Sequence, residues 1–180
     1  VARILMRLKI RPIAVTLFGL ALAIVAAYLI AINELMWAGV ALATSGSLDS
    51  IDGALARMSG TASPAGAFLD SVVDRLAEGV VLLGVLILAL DTNNTTLATL
   101  VYIAFAGSML VSYVAARAQS LGSLQMVGIM TRPERVLVLA VGLLVGYLTI
   151  AIWIIAILTP LTALHRFLHS WNELHKGPKA

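Results

Sequence analysis

From position 13 to position 33 the chain carries no charged residue. This is the first of six apolar stretches of about the 20 residues that cross a bilayer as a helix, at 13–33, 36–57, 66–90, 96–119, 133–147 and 150–172. In lipid every backbone polar group must be satisfied within the protein, which leaves α-helices or a closed barrel, and runs of this length select helices. Composition agrees, with 61% of the 180 residues hydrophobic, 12% charged and a mean hydropathy of +1.01, far from the averages of soluble domains. The connections "INEL", "MSGTASPA", "DTNNTT", "LGSLQMVGIM" and "GYLT" read as membrane loops. A single helix from 132 to 175 would be about 66 Å long at 1.5 Å per residue, so a turn is expected near 146–149. Pro160 is expected to kink the last helix.

The fold class expected is therefore all-α: a polytopic membrane protein of six transmembrane helices, one domain over 1–180 with its bundle at 13–175. Residues 1–12, "VARILMRLKIRP", alternate cationic and apolar side chains before Pro12 and read as a juxtamembrane amphipathic helix. Val1 in place of Met leaves room for a longer chain. Cysteine is absent, which excludes disulfides and thiolate zinc sites, so a metal would need oxygen or imidazole ligands.

The net charge of +3 is explained by topology and gives no reason to invoke nucleic acid. Arg3, Arg7, Lys9, Arg11, Arg57, Arg117, Arg132, Arg135, Arg166, Lys176 and Lys179 all fall on one side of the six spans, whereas "INEL", "DTNNTT" and "GYLT" contain no lysine or arginine. The positive-inside rule places both termini and the loops after spans two and four in the cytoplasm of a cell membrane.

Five carboxylates, Asp49, Asp52, Asp70, Asp74 and Glu78, break this apolar pattern. On a helix Asp49, Asp52, Gly53 and Ala56 share one face, as do Gly66, Asp70, Asp74 and Glu78 on the next. The short connection makes these helices antiparallel neighbours, so the two faces can meet near the inner membrane surface. Ionised aspartates within a span cost several kcal/mol, on the order of 3 on insertion scales, and repel one another. A hard divalent cation removes both penalties, and four aspartates have room for two ions. Salt bridges to Arg57 and Arg75, or a cation or proton pathway, are the alternatives. The small residues Gly53, Ala56 and Gly66 favour a bulky ligand or close helix packing over conduction.

The pattern D-x2-D-G-x2-A-R-x8-G-x3-D-x3-D, formed by Asp49, Asp52, Gly53, Ala56, Arg57, Gly66, Asp70 and Asp74, resembles the signature of the CDP-alcohol phosphotransferases (CDP-alcohol phosphatidyltransferases) at every fixed position. The resemblance implies a six-helix membrane enzyme that transfers a substituted phosphate from a CDP-linked alcohol to an acceptor hydroxyl and releases CMP, with Mg²⁺ or Mn²⁺, two ions, as cofactor. It implies Asp49, Asp52, Asp70 and Asp74 as metal ligands, with Asp74 also the base. Gly53, Ala56, Arg57 and Gly66 are implied at the nucleotide, with Thr16 near the cytidine.

The segments "GIMTRPER" and "ALHRFLHSW" resemble the branch containing phosphatidylinositol phosphate synthases and their archaeal relatives. That resemblance implies inositol phosphate as acceptor, its phosphate held by Arg135 and Arg166, with Arg132 beside them. Where bacterial members commonly have a lysine two residues before the arginine of "AAR", this chain has Ala115. The donor alcohol stays open among CDP-diacylglycerol, CDP-archaeol and CDP-inositol, the last used by enzymes often fused to a cytidylyltransferase domain. Glycerol phosphate or serine are alternative acceptors within the family, and a cation transporter is the alternative outside it. Small-residue faces on spans three and four suggest a homodimer.

Overall fold

The computed structural model describes residues 12–58, 63–123 and 128–175, with side chains except at positions 12 and 50–58. The amphipathic helix expected over 1–12 lies outside the described residues but for Pro12, which opens the first helix. Among the described residues the secondary structure is six helices and no strand: α1 (Pro12–Ala31), α2 (Leu35–Met58), α3 (Pro64–Asp91), α4 (Thr95–Ser120), α5 (Arg132–Leu144) and α6 (Leu148–His175). Each coincides with an expected span to within a few residues.

The helix ends follow local chemistry. Asn33 and Asn93 take left-handed backbone, φ 64° and 52°, which asparagine tolerates better than most residues. There the chain reverses tightly, with Glu34 N–H donating to Leu29 O at 2.8 Å and Asn94 N–H to Ala89 O at 2.8 Å. Ser63 caps α3 by accepting from Gly66 N–H, Pro64 follows it in the first turn, and Asn94 caps α4 by accepting from Leu97 N–H. The expected break after the fifth span is a left-handed Gly146, φ 77°, closed by Tyr147 N–H on Gly142 O at 2.7 Å. Through Pro160 α6 continues as one helix of 28 residues.

Among the described residues, three helices are long and apolar enough to cross a membrane by length and composition alone: 13–31 within α1, and α4 and α6. Acidic and basic side chains lower the apolarity of α2 and α3. The 13 residues of α5 reach only about 20 Å at 1.5 Å per residue.

Within the bundle α1 leans on both α2 and α3, α4 packs on α6 and α3, and α5 packs on α2 and α6. The core is formed by small and branched side chains, among them Ala26, Ile30, Val85, Ala104 and Ile152, all fully buried. Small residues set the tightest approaches, as expected where lipid offers no hydrophobic drive between helices. A Cβ on Gly84 would lie 2.4 Å from Ala27 O of α1, and one on Gly107 would lie 2.3 Å from Thr159 Oγ1 of α6.

That geometry predicts the outcome of a paired substitution. Gly84→Ala drives a methyl into backbone that cannot yield, so it should lower stability by about 1–3 kcal/mol or more. Gly79→Ala meets only Phe105 Cε2 at 3.4 Å and should hold or raise stability, because alanine favours helix by about 1 kcal/mol over glycine. Thermal unfolding of both variants in detergent measures the difference; equal midpoints would refute the Gly84 contact.

Candidate functional site

The acidic faces of α2 and α3 do meet, but through a third helix. Among the described residues the two helices are not packed backbone to backbone. Between them lies a narrow cavity of about 30 Å³, bounded by Ser45, Gly46 and Asp49 of α2, Ala77, Glu78 and Val81 of α3, and Arg132, Arg135 and Val136 of α5. Such a volume holds one or two waters. α5 approaches α2 closely at this point, where a Cβ on Gly46 would meet Val136 Cγ1 at 2.7 Å.

The charges at the cavity come from both sides. Arg132 Nη1 lies 2.6 Å from Asp49 Oδ2 and 2.9 Å from Asp74 Oδ1. Asp70, one turn before Asp74 on α3, is near enough for its charge to act on both Asp49 and Asp74. Gly19 of α1 gives Asp49 room: a Cβ there would meet Asp49 Oδ1 at 3.4 Å. Ser45 Oγ, one turn before Asp49, donates to Gly19 O at 2.8 Å and pins α1 to α2 at the same level. Thr16 is buried one turn earlier on α1.

Glu78, the last acid of the α3 ladder, is claimed by Arg135. Its two oxygens accept from Arg135 Nε at 2.6 Å and Nη2 at 2.8 Å, a bidentate pair in which the arginine side chain is only 3% exposed. Arg135 Nη1 also donates to Met130 O at 2.9 Å. Described residues on either side of 124–127 touch α6: Ser123 Oγ donates to Glu173 Oε2, Gly128 lies against Arg166, and Met130 N–H donates to Thr162 Oγ1 at 3.3 Å. Arg166 is buried, donates from Nη1 to Val111 O at 3.1 Å, and feels the charge of Arg135. Ala115 stands one turn beyond Val111 on α4, so no lysine joins this arginine pair from that side.

Of the residues singled out in the sequence, Asp49 thus lines the cavity, Asp74 shares Arg132 with it, Asp70 acts on both through its charge, and Arg135 and Arg166 flank the Gly128–Met130 backbone. Asp52, Gly53, Ala56 and Arg57 lie on α2, but their side chains fall outside the described residues. Gly66 sits in the first turn of α3 with its N–H donated to Ser63. Arg75 donates to Ser71 O at 2.6 Å, so among the described residues the carboxylates are paired by Arg132 and Arg135 of α5 instead. The sequence reading passed over Ser45 and Gly19, although Ser45 stands four residues before Asp49 on the acidic face.

The residues present suit a hard divalent cation. Carboxylates from two helices already converge on a single positively charged nitrogen, and carboxylate oxygens are the ligands that Mg²⁺ and Mn²⁺ prefer. Among the described residues no three acidic or imidazole side chains form a complete ligand set, and the side chain of Asp52 lies outside them.

Comparisons with known proteins fit this arrangement. The family model described as CDP-alcohol phosphatidyltransferase matches residues 9–164. The chain is 33% identical over 178 residues to the archaetidylinositol phosphate synthase of Pyrococcus horikoshii, covering 98% of this chain and 92% of that protein. It is 34% identical over 174 residues to the phosphatidylinositol phosphate synthase of Mycobacteroides abscessus, covering 92% and 79%. The fold matches the crystal structure of Mycobacterium tuberculosis phosphatidylinositol phosphate synthase with CDP-DAG bound, at a TM-score of 0.86, 28% identity and coverage of 94% and 91%. A form of that synthase in complex with manganese and citrate matches at a TM-score of 0.86, 28% identity and coverage of 94% and 87%. Agreement along nearly the whole chain, in sequence and in fold, means that this protein belongs to the CDP-alcohol phosphatidyltransferase family, integral membrane enzymes that pass a substituted phosphate from a CDP-linked alcohol to a hydroxyl and release CMP.

Proposed function

We propose that the chain transfers the lipid-bearing phosphate of CDP-diacylglycerol or CDP-archaeol to a hydroxyl of inositol phosphate. The observation that carries this reading is the pair of buried arginines, Arg135 and Arg166, on either side of the Gly128–Met130 backbone and next to the carboxylates. A phosphate-bearing acceptor needs such cations, and a guanidinium offers paired donors to two phosphate oxygens. The names of the relatives in archaea and mycobacteria support the same choice.

In this reading Asp49, Asp52, Asp70 and Asp74 hold two Mg²⁺ or Mn²⁺ ions. When bound, the ions supply neutralisation of the donor's pyrophosphate. Asp74 takes the proton of the acceptor hydroxyl, whose oxygen then bonds to the lipid-linked phosphorus as the bond from that phosphorus to the CMP oxygen breaks. Gly53, Ala56 and Gly66 leave room for the nucleotide, Arg57 contacts its phosphates, and Thr16 lies near the cytidine. Arg166, Arg135 and Arg132 hold the acceptor's phosphate. All six helices are embedded in the membrane, with the carboxylates on the cytoplasmic side. A second copy on the α3–α4 face would cover the exposed groove between Phe68, Leu76, Leu83, Phe105 and Tyr113.

Replacing single carboxylates separates these roles. Asp70→Asn should abolish CMP release and weaken Mn²⁺-dependent CDP-alcohol binding, whereas Asp74→Asn should stop CMP release and keep appreciable binding. Equal loss of binding in the two variants would make Asp74 simply another ligand.

The acceptor assignment is read from steady-state constants. Arg166→Ala should raise the KM for inositol phosphate roughly 10- to 150-fold, the value of one charged hydrogen-bonded contact of about 1.5–3 kcal/mol, and leave the donor's KM nearly unchanged. Gly128→Ala should act in the same direction, since φ 142° disfavours a side chain and a Cβ would meet Thr162 Cγ2 at 2.7 Å and Arg166 Nε at 3.0 Å. Arg135→Ala is a poorer probe, because it strands buried Glu78 and should cost about 3–5 kcal/mol of stability. A wild-type KM in both Arg166→Ala and Gly128→Ala, or preference for glycerol phosphate or serine, would refute inositol phosphate as acceptor.

Orientation is tested by labelling intact cells with an impermeant thiol reagent. Thr96→Cys, exposed at the start of α4, should react from outside, and Leu121→Cys, exposed after its end, should not. The reverse pattern would place the carboxylates away from cytoplasmic nucleotides.

A further inference from the structure

Arg132 is held by carboxylates of two helices. One nitrogen, Nη1, bridges Asp49 of α2 and Asp74 of α3 at 2.6 and 2.9 Å, so the first residue of α5 ties the two acidic helices together. The fit is incomplete: Asp74 Oδ1 and Arg132 Nε are buried without a hydrogen-bond partner. Arg135, one turn along α5, is different, with Nε, Nη1 and Nη2 all bonded and its side chain 3% exposed. The Arg132 side chain is 21% exposed and lies at the cavity mouth.

We propose that Arg132 is an exchangeable counter-ion, which neutralises Asp49 and Asp74 in the metal-free protein and must leave them before a divalent cation can bind. This rests on the reading of those carboxylates as cation ligands. Hard cations bond carboxylate oxygen at about 2.0–2.6 Å, so a cation and the guanidinium compete for the same lone pairs and repel each other as like charges. Arg132 can give way without moving α5, because its long stem ends in the partly exposed group while Arg135 stays anchored to Glu78. Once displaced, its donors are available at the cavity mouth for an anionic group. Cation loading and capture of a phosphate are thereby coupled, and the coupling runs equally in both directions.

The test is Mn²⁺ binding, followed by electron paramagnetic resonance on the metal-free protein in lipid nanodiscs with no substrate present. Removing the competitor should tighten binding: Arg132→Gln is expected to bind Mn²⁺ about tenfold more tightly than wild type, which corresponds to about 1.4 kcal/mol. Arg132→Lys should fall between the two, and decides the matter if the glutamine variant does not fold. Arg75→Gln serves as the control for long-range charge: Arg75 acts on Asp74 through its field while its guanidinium bonds Ser71 O, so its removal should change affinity by less than about twofold. Wild-type affinity in the Arg132 variants, or equal tightening in Arg75→Gln, would overturn the exchange and leave the cation site standing. Failure of wild type to bind Mn²⁺, or wild-type binding by Asp70→Asn, would overturn the cation-site reading and the exchange with it.

Discussion

Burying carboxylates among apolar helices requires a positive charge beside them, and the rest of this structure is arranged around that requirement. An ionised aspartate inside a span loses its hydration, and neighbouring aspartates repel it. The described part of the bundle meets the cost with two arginines of one short helix. Arg132 serves Asp49 and Asp74, and Arg135 serves Glu78. Without α5 the carboxylates of α2 and α3 would lose the two arginines that pair with them among the described residues.

The same need gives a role to the first turn of α5 and to the described backbone just before it. α5 is a helix of 13 residues that opens at Arg132 and ends just before the Gly146 turn, so Arg132 and Arg135 lie in its first turn, beside the carboxylates they pair. The described backbone just before α5, 128–130, lies against α6, with Met130 N–H donating to Thr162, Met130 O accepting from Arg135, and Gly128 passing close to Arg166. Irregular backbone at membrane depth is tolerated where protein covers it in this way.

The two arginine pairs differ in what they can do. Arg135 and Glu78 form a bidentate contact with the arginine side chain buried, whose disruption strands a charge, and this fixes the position of the guanidinium. Arg132 sits partly exposed on Asp49 and Asp74, the carboxylates proposed above as cation ligands. Oxygens that converge on one cation have the geometry to meet another, which is the basis of the proposed exchange.

The sequence by itself determined the helices and the chemistry. Apolar length fixed six elements to within a few residues, because a backbone in lipid has few ways to satisfy itself, and the turn near Gly146 followed from the length limit. Fourfold spacing placed Asp70, Asp74 and Glu78 on one helical face, since that periodicity is a property of any α-helix. Which cations answer those acids was decided only by tertiary structure. Arg75 is near in sequence, yet among the described residues the partners found are Arg132 and Arg135, more than 50 positions away from Asp74 and Glu78 in the chain. Gly19 and Ser45 carry no local sign of their contact with each other, because it depends on how α1 crosses α2. Pairings of this kind are set by packing between helices, and a periodic pattern along one helix holds no information about the register of the next.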